Sequence, residues 1–189
     1  MNNICFFCGS NSGLDENFTE QTRNLIKYVK ENHYNIVYGG GKIGLMGVVA
    51  EEGMKHNINV TGIMPKFLID KEIGNSEISK LIEVSDMSER IQVMLKMSEG
   101  FIVLPGGFGT FEEFFEILSW SQMGLHKKPI GLLNINGFFD PLENLLEGCI
   151  QSGFAPKENK NLFIIEKDPE SLIKKMKDFR HTMPNKYVN

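Results

Sequence analysis

The sequence predicts an α/β protein with a doubly wound parallel sheet of about seven strands and helices on both faces. Two patterns carry this prediction. Short apolar runs alternate with segments of helical periodicity along the chain, and glycine clusters directly follow three of the apolar runs. This alternation is typical of a Rossmann-like sheet, in which ligands bind where the strand order reverses.

The predicted elements follow one another without an internal repeat or a linker, so residues 1–180 are expected to form a single domain and 181–189 a flexible tail. Strands are expected where short apolar runs lie between turn residues, at 4–8, 35–38, 59–63, 81–84, 100–104, 129–133 and 162–165. Helices are expected where apolar residues recur every three or four positions, near 15–32, 44–56, 86–98, 110–124, 139–151 and 168–178.

The composition argues against several classes of protein. The chain has 189 residues, 41% of them hydrophobic, which is enough for one packed core. The net charge of −4 and the lack of a long Lys/Arg run give no support for a nucleic-acid partner. No apolar stretch approaches the ~20 residues that cross a bilayer, and the first residues lack the layout of a signal peptide. We therefore expect a cytoplasmic protein with no membrane partner.

The cysteines and histidines do not suggest a metal or redox centre. Cys5 and Cys8 form a C-x-x-C, but both fall in the first predicted strand, where residues three apart point to opposite faces. They are therefore not expected to share a disulfide or a metal. The four histidines show no ligand spacing, and we expect no bound metal.

Three glycine-rich loops follow predicted strands whose carboxyl ends share one edge of the sheet: CGSNSG, YGGGKIGLMG and PGGFGT. Such loops are either structural turns or a cradle of backbone N–H groups for one anionic ligand. Three loops on one edge favour the ligand. The candidate phosphate-binding residues in the first two loops are Gly9, Ser10, Gly39, Gly40, Gly41 and Gly44.

The second loop does not specify a dinucleotide or a triphosphate. Gly39-x-Gly41-x-x-Gly44 matches the dinucleotide fingerprint, but no acidic residue ends the next strand and the motif follows the second strand. A Walker A motif is excluded because Ile43 stands where that motif has Ser or Thr. A monophosphate remains compatible with a short glycine turn.

Charged residues near two helix starts are the catalytic candidates. Thr110 and Glu113 have the spacing of a capping box, which would account for Glu113 but not for the glycines before it. Asp86 and Glu89 have similar spacing in the preceding helix. Arg90 follows them in the first turn, where a cation opposes the helix dipole. Arg90 therefore pairs either with an anionic ligand or site glutamate, or with Glu89 or Asp86.

The helix at 110–124 is apolar on more than one side. One apolar stripe consists of Phe111, Phe114, Phe115 and Leu118. Ile117 and Trp120 lie away from it. A helix that is apolar on two sides is buried on two sides, which predicts a subunit interface here.

These motifs resemble the LOG ("Lonely Guy") family, the cytokinin riboside 5′-monophosphate phosphoribohydrolases. PGGFGTFEE fits the family signature P-G-G-x-G-T-x-x-E, and FCGSNSG, YGGGKIGLMG and SWSQMGLHKKPIGLLNINGFF also look like that family. Together these motifs cover roughly residues 4–150. Members are often labelled lysine decarboxylases. That activity needs a Schiff-base lysine, and no lysine here has a setting that recommends it.

The resemblance implies hydrolysis of the N-glycosidic bond of a nucleoside 5′-monophosphate, to a free base and ribose 5-phosphate, without a cofactor. It also implies a homodimer, which agrees with the apolar helix at 110–124. It implies that Arg90 and Glu113 are catalytic, with Glu113 stabilising the oxocarbenium-like state and orienting or deprotonating water. The residues that the resemblance places at the substrate are Glu72, Gly106, Gly107, Phe108, Gly109, Thr110, Glu112 and Ser119.

One position departs from the family pattern. The family reads M-x-x-R-K before the signature, and Ile91 replaces that lysine here; Lys42 and Lys66 are candidates to compensate. Two other interpretations share the loops and the fold. One is a protein that binds a nucleotide or an anionic cofactor without chemistry, like the related molybdenum-cofactor carriers. The other is a nucleosidase acting on AMP or other monophosphates, and the sequence does not decide which base is preferred.

Overall fold

Seven parallel strands form one sheet in the computed structural model, which describes residues 1–71 and 74–181. The strands are β1 (Asn3–Phe7), β2 (Asn35–Tyr38), β3 (Val60–Pro65), β4 (Lys80–Val84), β5 (Gly100–Val103), β6 (Ile130–Leu133) and β7 (Ile164–Glu166). All seven predicted strands are confirmed, with some ends shifted by one or two residues.

Helices connect the strands: α1 (Glu16–Glu31), α2 (Gly44–Lys55), α3 (Lys66–Ile69), α4 (Met87–Met97), α5 (Phe108–Gln122), α6 (Asp140–Gln151) and α7 (Pro169–Asp178). The six predicted helices are present. The sequence did not indicate α3, because a helix of four residues is too short to show periodicity. None of the helices in the described part of the chain is both long enough and apolar enough to cross a membrane.

The strand order is β4-β3-β2-β1-β5-β6-β7, so the chain builds one half of the sheet outward from β1 and then returns to β1 to build the other half. Within β1, Ile4 is in register with Ile36 of β2 on one side and with Gly100 of β5 on the other. The order reverses between β1 and β5, which is where ligands bind in doubly wound sheets. The loops after β1, β2 and β5 therefore meet at one place.

Two apolar layers cover the sheet, one on each face. Ile4 and Phe6 of β1 belong to the layer that includes residues of α1, α2 and α7, whereas Cys5 and Phe7 belong to the layer under α4, α5 and α6. Cys8 lies in the first layer, opposite Cys5, and both thiols are free. The prediction that this C-x-x-C is divided between two faces is confirmed.

Candidate functional site

The three glycine-rich loops converge at the carboxyl edge of the sheet. The Gly9 amide donates to the Pro105 carbonyl oxygen at 3.0 Å, which joins the loop after β1 to the loop after β5. A Cβ atom on Gly9 would lie 3.2 Å from the Gly106 Cα, so the two loops touch through their backbones. The predicted grouping of the loops on one edge is confirmed.

The second loop packs on the first through Gly44, the first residue of α2. Its φ is +63°, and a Cβ there would lie 2.3 Å from the Ser10 carbonyl carbon. The Met46 amide also donates to the Gly9 carbonyl oxygen at 3.2 Å. The start of α2 is thus held directly against the loop after β1.

A cavity of about 260 Å³ opens between the first and third loops. Aromatic and aliphatic side chains form part of its wall, and glycine backbone forms another part. Its lining includes Gly9, Ser10, Gly13, Phe18, Leu45, Gly106, Gly107 and Phe138. No atom would lie within 4 Å of a Cβ on Gly107 or Gly109, so the start of α5 is open to a ligand. Phe108, between them, is 96% exposed.

Arg90 and Glu113 form a buried ion pair beside these loops. Arg90 Nη2 lies 3.0 Å from Glu113 Oε1, and their side chains are only 11% and 12% exposed. Arg90 Nε also donates to the Ile63 carbonyl oxygen at 3.2 Å. Asp86 instead accepts from the Glu89 amide, and Glu89 accepts from Ser85. Of the partners considered for Arg90, the structure selects the site glutamate.

The predicted capping box at Thr110 and Glu113 is wrong. The helix begins two residues earlier than predicted, at Phe108, and Gly107 is its N-cap without a side-chain bond. Thr110 is buried inside the first turn, and its hydroxyl packs closely on Gly106. A Cβ on Gly106 would lie 2.1 Å from Thr110 Oγ1. Because Glu113 has no capping role, its carboxylate is available to Arg90.

Burial changes the protonation of Glu113. Removal from water raises the pKa of this carboxyl to about 7, although Arg90 favours the charged form and opposes the shift. Glu112 and Glu116 add to the rise because they are like charges on the same helix. A carboxyl with this pKa exchanges protons readily near neutral pH, as an acid–base group requires.

A second, smaller cavity of about 50 Å³ lies between α4 and α5, next to this pair. It is large enough for a water molecule. Its lining comprises Met87, Ser88, Arg90, Ile91, Glu112, Glu113 and Glu116. Of the described residues around it, Arg90 alone is cationic. Ile91, which replaces the family's lysine, is 4% exposed. Neither candidate to compensate for that lysine lines this cavity: Lys42 lines a different one, and Lys66 Nζ lies 3.6 Å from Asp70 Oδ1.

Glu116 at this cavity was not among the predicted site residues. Its spacing from Glu112 is typical of a solvated strip of helix, but burial and the neighbouring Glu112 raise the pKa of the Glu116 carboxyl. The signal that could have identified it is its position, one helical turn after Glu113 on the same helix. Ser119, one turn further along, faces an apolar groove between α5 and α6 instead. Glu72 lies outside the described residues.

The fold and these loops define a class: a Rossmann-like protein with a glycine-lined cavity at the carboxyl edge of its sheet and a buried carboxylate beside it. Solved structures agree on the fold. The molybdenum cofactor binding protein of Rippkaea orientalis has a TM-score of 0.71 and 18% identity, covering 94% of this chain and 97% of that one. A molybdenum cofactor carrier protein of Chlamydomonas reinhardtii has a TM-score of 0.68 and 19% identity, with the same coverages.

Sequence comparison gives the family. A family model described as "Possible lysine decarboxylase" matches residues 46–176. The cytokinin riboside 5′-monophosphate phosphoribohydrolase LOG5 of Arabidopsis thaliana is 37% identical, over 94% of this chain and 78% of LOG5. LOG of Oryza sativa subsp. japonica, with the same activity in its name, is 36% identical over 93% of this chain and 73% of LOG. The chain belongs to the LOG family, which confirms the resemblance seen in its motifs.

Proposed function

We propose that this protein hydrolyses the N-glycosidic bond of a nucleoside 5′-monophosphate, either a cytokinin riboside 5′-monophosphate or AMP. The buried Arg90–Glu113 pair beside three glycine-rich loops is the observation that carries the proposal. The relatives named as phosphoribohydrolases support the same chemistry. The nucleotide fits a site with open backbone N–H groups for phosphate and a carboxylate for the sugar.

In this reaction the bond from ribose C1′ to the base nitrogen breaks, and the oxygen of water bonds to C1′. One proton of water leaves with the base, so the products are the free base and ribose 5-phosphate. Glu113 as a carboxylate stabilises positive charge on the ribose and accepts a proton from the attacking water. The small cavity next to Glu113 is a suitable place for that water.

Arg90 holds the Glu113 carboxylate in position, and the glycine-rich loops bind the phosphate. Gly107 caps α5 without a side-chain hydrogen bond, so the first N–H groups of this helix are available to a phosphate, and the helix dipole there favours an anion. These contacts bind the ground state and orient the ribose. A lysine decarboxylase activity has no support, since none of the residues lining either cavity at the site is a lysine.

We also propose that the protein is a cytoplasmic homodimer. The groove of about 240 Å³ between α5 and α6 is lined mainly by apolar side chains. Phe115 at its edge is 39% exposed and Phe154 is 85% exposed. Ile117, which contributed to the interface prediction, is instead fully buried against the sheet in its own chain. The groove, rather than Ile117, supports contact with a second copy.

A product assay tests the proposed activity. The purified protein is incubated with AMP and with isopentenyladenosine 5′-monophosphate, and the free base and ribose 5-phosphate are separated by chromatography. We expect both products in equal amounts from at least one nucleotide. Binding of a nucleotide with no release of base would instead indicate a carrier, and the proposed hydrolysis would be wrong.

Replacing Ile91 with lysine tests the electrostatics of the site. Activity requires the Glu113 carboxylate, so kcat/KM in the wild type should fall as the pH drops below about 7. A cation beside a carboxyl lowers its pKa by about 1–3 units, so the acid limb of Ile91→Lys should move to lower pH by about one unit or more. The pH profile of kcat/KM measures this shift. Ile91→Met, which keeps the volume without a charge, should keep the wild-type profile, and an equal shift in both variants would refute the explanation.

A further inference from the structure

Tyr38 ends β2 immediately before three consecutive glycines, and its hydroxyl reaches into the loop that they form. The side chain is fully buried, and the hydroxyl donates to the Gly41 carbonyl oxygen at 3.1 Å. Burial raises the pKa of the Tyr38 phenol above its usual range, so the hydroxyl keeps its proton and remains a hydrogen-bond donor. Glycine loses more conformational freedom on folding than any other residue, so three in a row need external contacts to hold one conformation.

The segment after β3 holds the same loop from the other side. The backbone N–H of Asn75 donates to the Gly40 carbonyl oxygen at 2.9 Å, and Gly41 and Gly74 form an antiparallel β-bridge. Gly40 itself has a φ of +82°, which other residues rarely adopt. Apolar side chains of Met46, Met64 and Leu81 lie near these glycines but offer them no oxygen or nitrogen atom. The Tyr38 hydroxyl therefore adds a side-chain hydrogen bond to a loop that is otherwise held by backbone hydrogen bonds and apolar packing.

The loop is in direct contact with Arg90. A Cβ on Gly39 would lie 2.2 Å from Arg90 Nη2, so the Gly39 backbone rests against the guanidinium group. The guanidinium group also contacts Glu113, the Ile63 carbonyl oxygen and the Met87 sulfur atom. The glycine loop therefore forms one wall of the space that the Arg90 side chain occupies.

We propose that Tyr38 is a positioning residue, which holds the glycine loop against Arg90 and so keeps Arg90 aligned with Glu113. Tyr38 does not touch the reacting atoms and acts through Gly41 and Gly39. The kinetic part of this inference rests on the proposed hydrolysis. Removal of the hydroxyl leaves the buried Gly41 carbonyl without this donor and frees the loop to shift.

Tyr38→Phe tests the role, with Tyr34→Phe as the matched control. Tyr34 is 5% exposed and precedes the same strand, and its hydroxyl has no hydrogen-bond partner among the described residues. We expect kcat to fall about tenfold in Tyr38→Phe, equivalent to about 1.4 kcal/mol in the barrier, with a smaller change in KM. Tyr34→Phe should keep the wild-type kcat.

A double mutant separates positioning from a general loss of stability. If Tyr38 acts through Arg90, Tyr38→Phe combined with Arg90→Ala should be no slower than Arg90→Ala alone. Multiplication of the two effects in the double mutant, or an equal fall in kcat for Tyr34→Phe, would overturn the proposal.

An activity-independent measurement keeps this inference separate from the proposed function. The chain has three arginines, Arg23, Arg90 and Arg180, so their Nε–Hε signals in a ¹⁵N-correlated NMR spectrum can be assigned by substitution. We expect the Arg90 signal to move or broaden in Tyr38→Phe and to stay in place in Tyr34→Phe. If the wild type released no base but the Arg90 signal moved, the hydrolysis would fail and the positioning role would stand. An unchanged Arg90 signal in Tyr38→Phe would overturn the positioning role.

Discussion

Glu113→Gln should reduce kcat by ~10²–10⁴-fold, the range typical of a positioned acid–base group, and should change nucleotide affinity far less. Glutamine keeps the volume of the side chain and a carbonyl oxygen that accepts a hydrogen bond from Arg90. It lacks the negative charge that stabilises the oxocarbenium-like state and the basicity that removes a proton from water. Because that charge matters most in the transition state, its loss lowers kcat rather than binding.

Turnover and calorimetric nucleotide binding, measured on the same samples, show whether Glu113→Gln loses kcat rather than affinity. Glu143→Gln, at an exposed position of α6, makes the same chemical change away from the site and should keep wild-type kcat. The wild-type acid limb near pH 7 should also be absent from whatever activity Glu113→Gln retains, because the titrating carboxyl is gone. Normal turnover in Glu113→Gln would remove Glu113 from the mechanism.

Gly44→Ala should lower the free energy of unfolding by about 2–5 kcal/mol, the sum expected for a left-handed backbone with a side chain and for steric overpacking. The φ of Gly44 is +63°, and the new Cβ would lie 2.3 Å from the Ser10 carbonyl carbon and 2.4 Å from the Asn11 nitrogen. Both contacts are backbone atoms, so no side-chain rotation relieves them. The loops after β1 and β2 must separate, and nucleotide binding should weaken with them.

Urea unfolding of Gly44→Ala is best compared with that of Gly148→Ala, because the same substitution should raise the free energy of unfolding at position 148. Gly148 lies within α6, and no atom lies within 4 Å of the position of its Cβ. Alanine in a helix interior is favoured over glycine by about 0.8–1.0 kcal/mol, so Gly148→Ala should be stabilised by up to that amount. Similar stability for Gly44→Ala and the wild type would contradict the close contact of the two loops.

Most of the fold could be predicted because its signals are local. The apolar run at 35–38 coincides with β2, and the helical periodicity at 44–56 coincides with α2 to within one residue. The start of α5 was misplaced because Thr-x-x-Glu spacing is the same whether Thr110 caps a helix or lies inside its first turn. The choice depended on how closely Thr110 packs on Gly106, which is a three-dimensional fact.

The sequence by itself determined the parallel sheet, the meeting of three glycine-rich loops at its edge, and the motifs that relate the chain to the LOG family. These follow from periodicity, from residue types at strand ends and from the topology of parallel sheets. Only the tertiary structure decided that Arg90 pairs with Glu113, that Glu116 lines the adjacent cavity, and that Ser119 faces a separate groove. Burial and side-chain contact between distant segments have no local signal, because they depend on how the helices pack across the finished sheet.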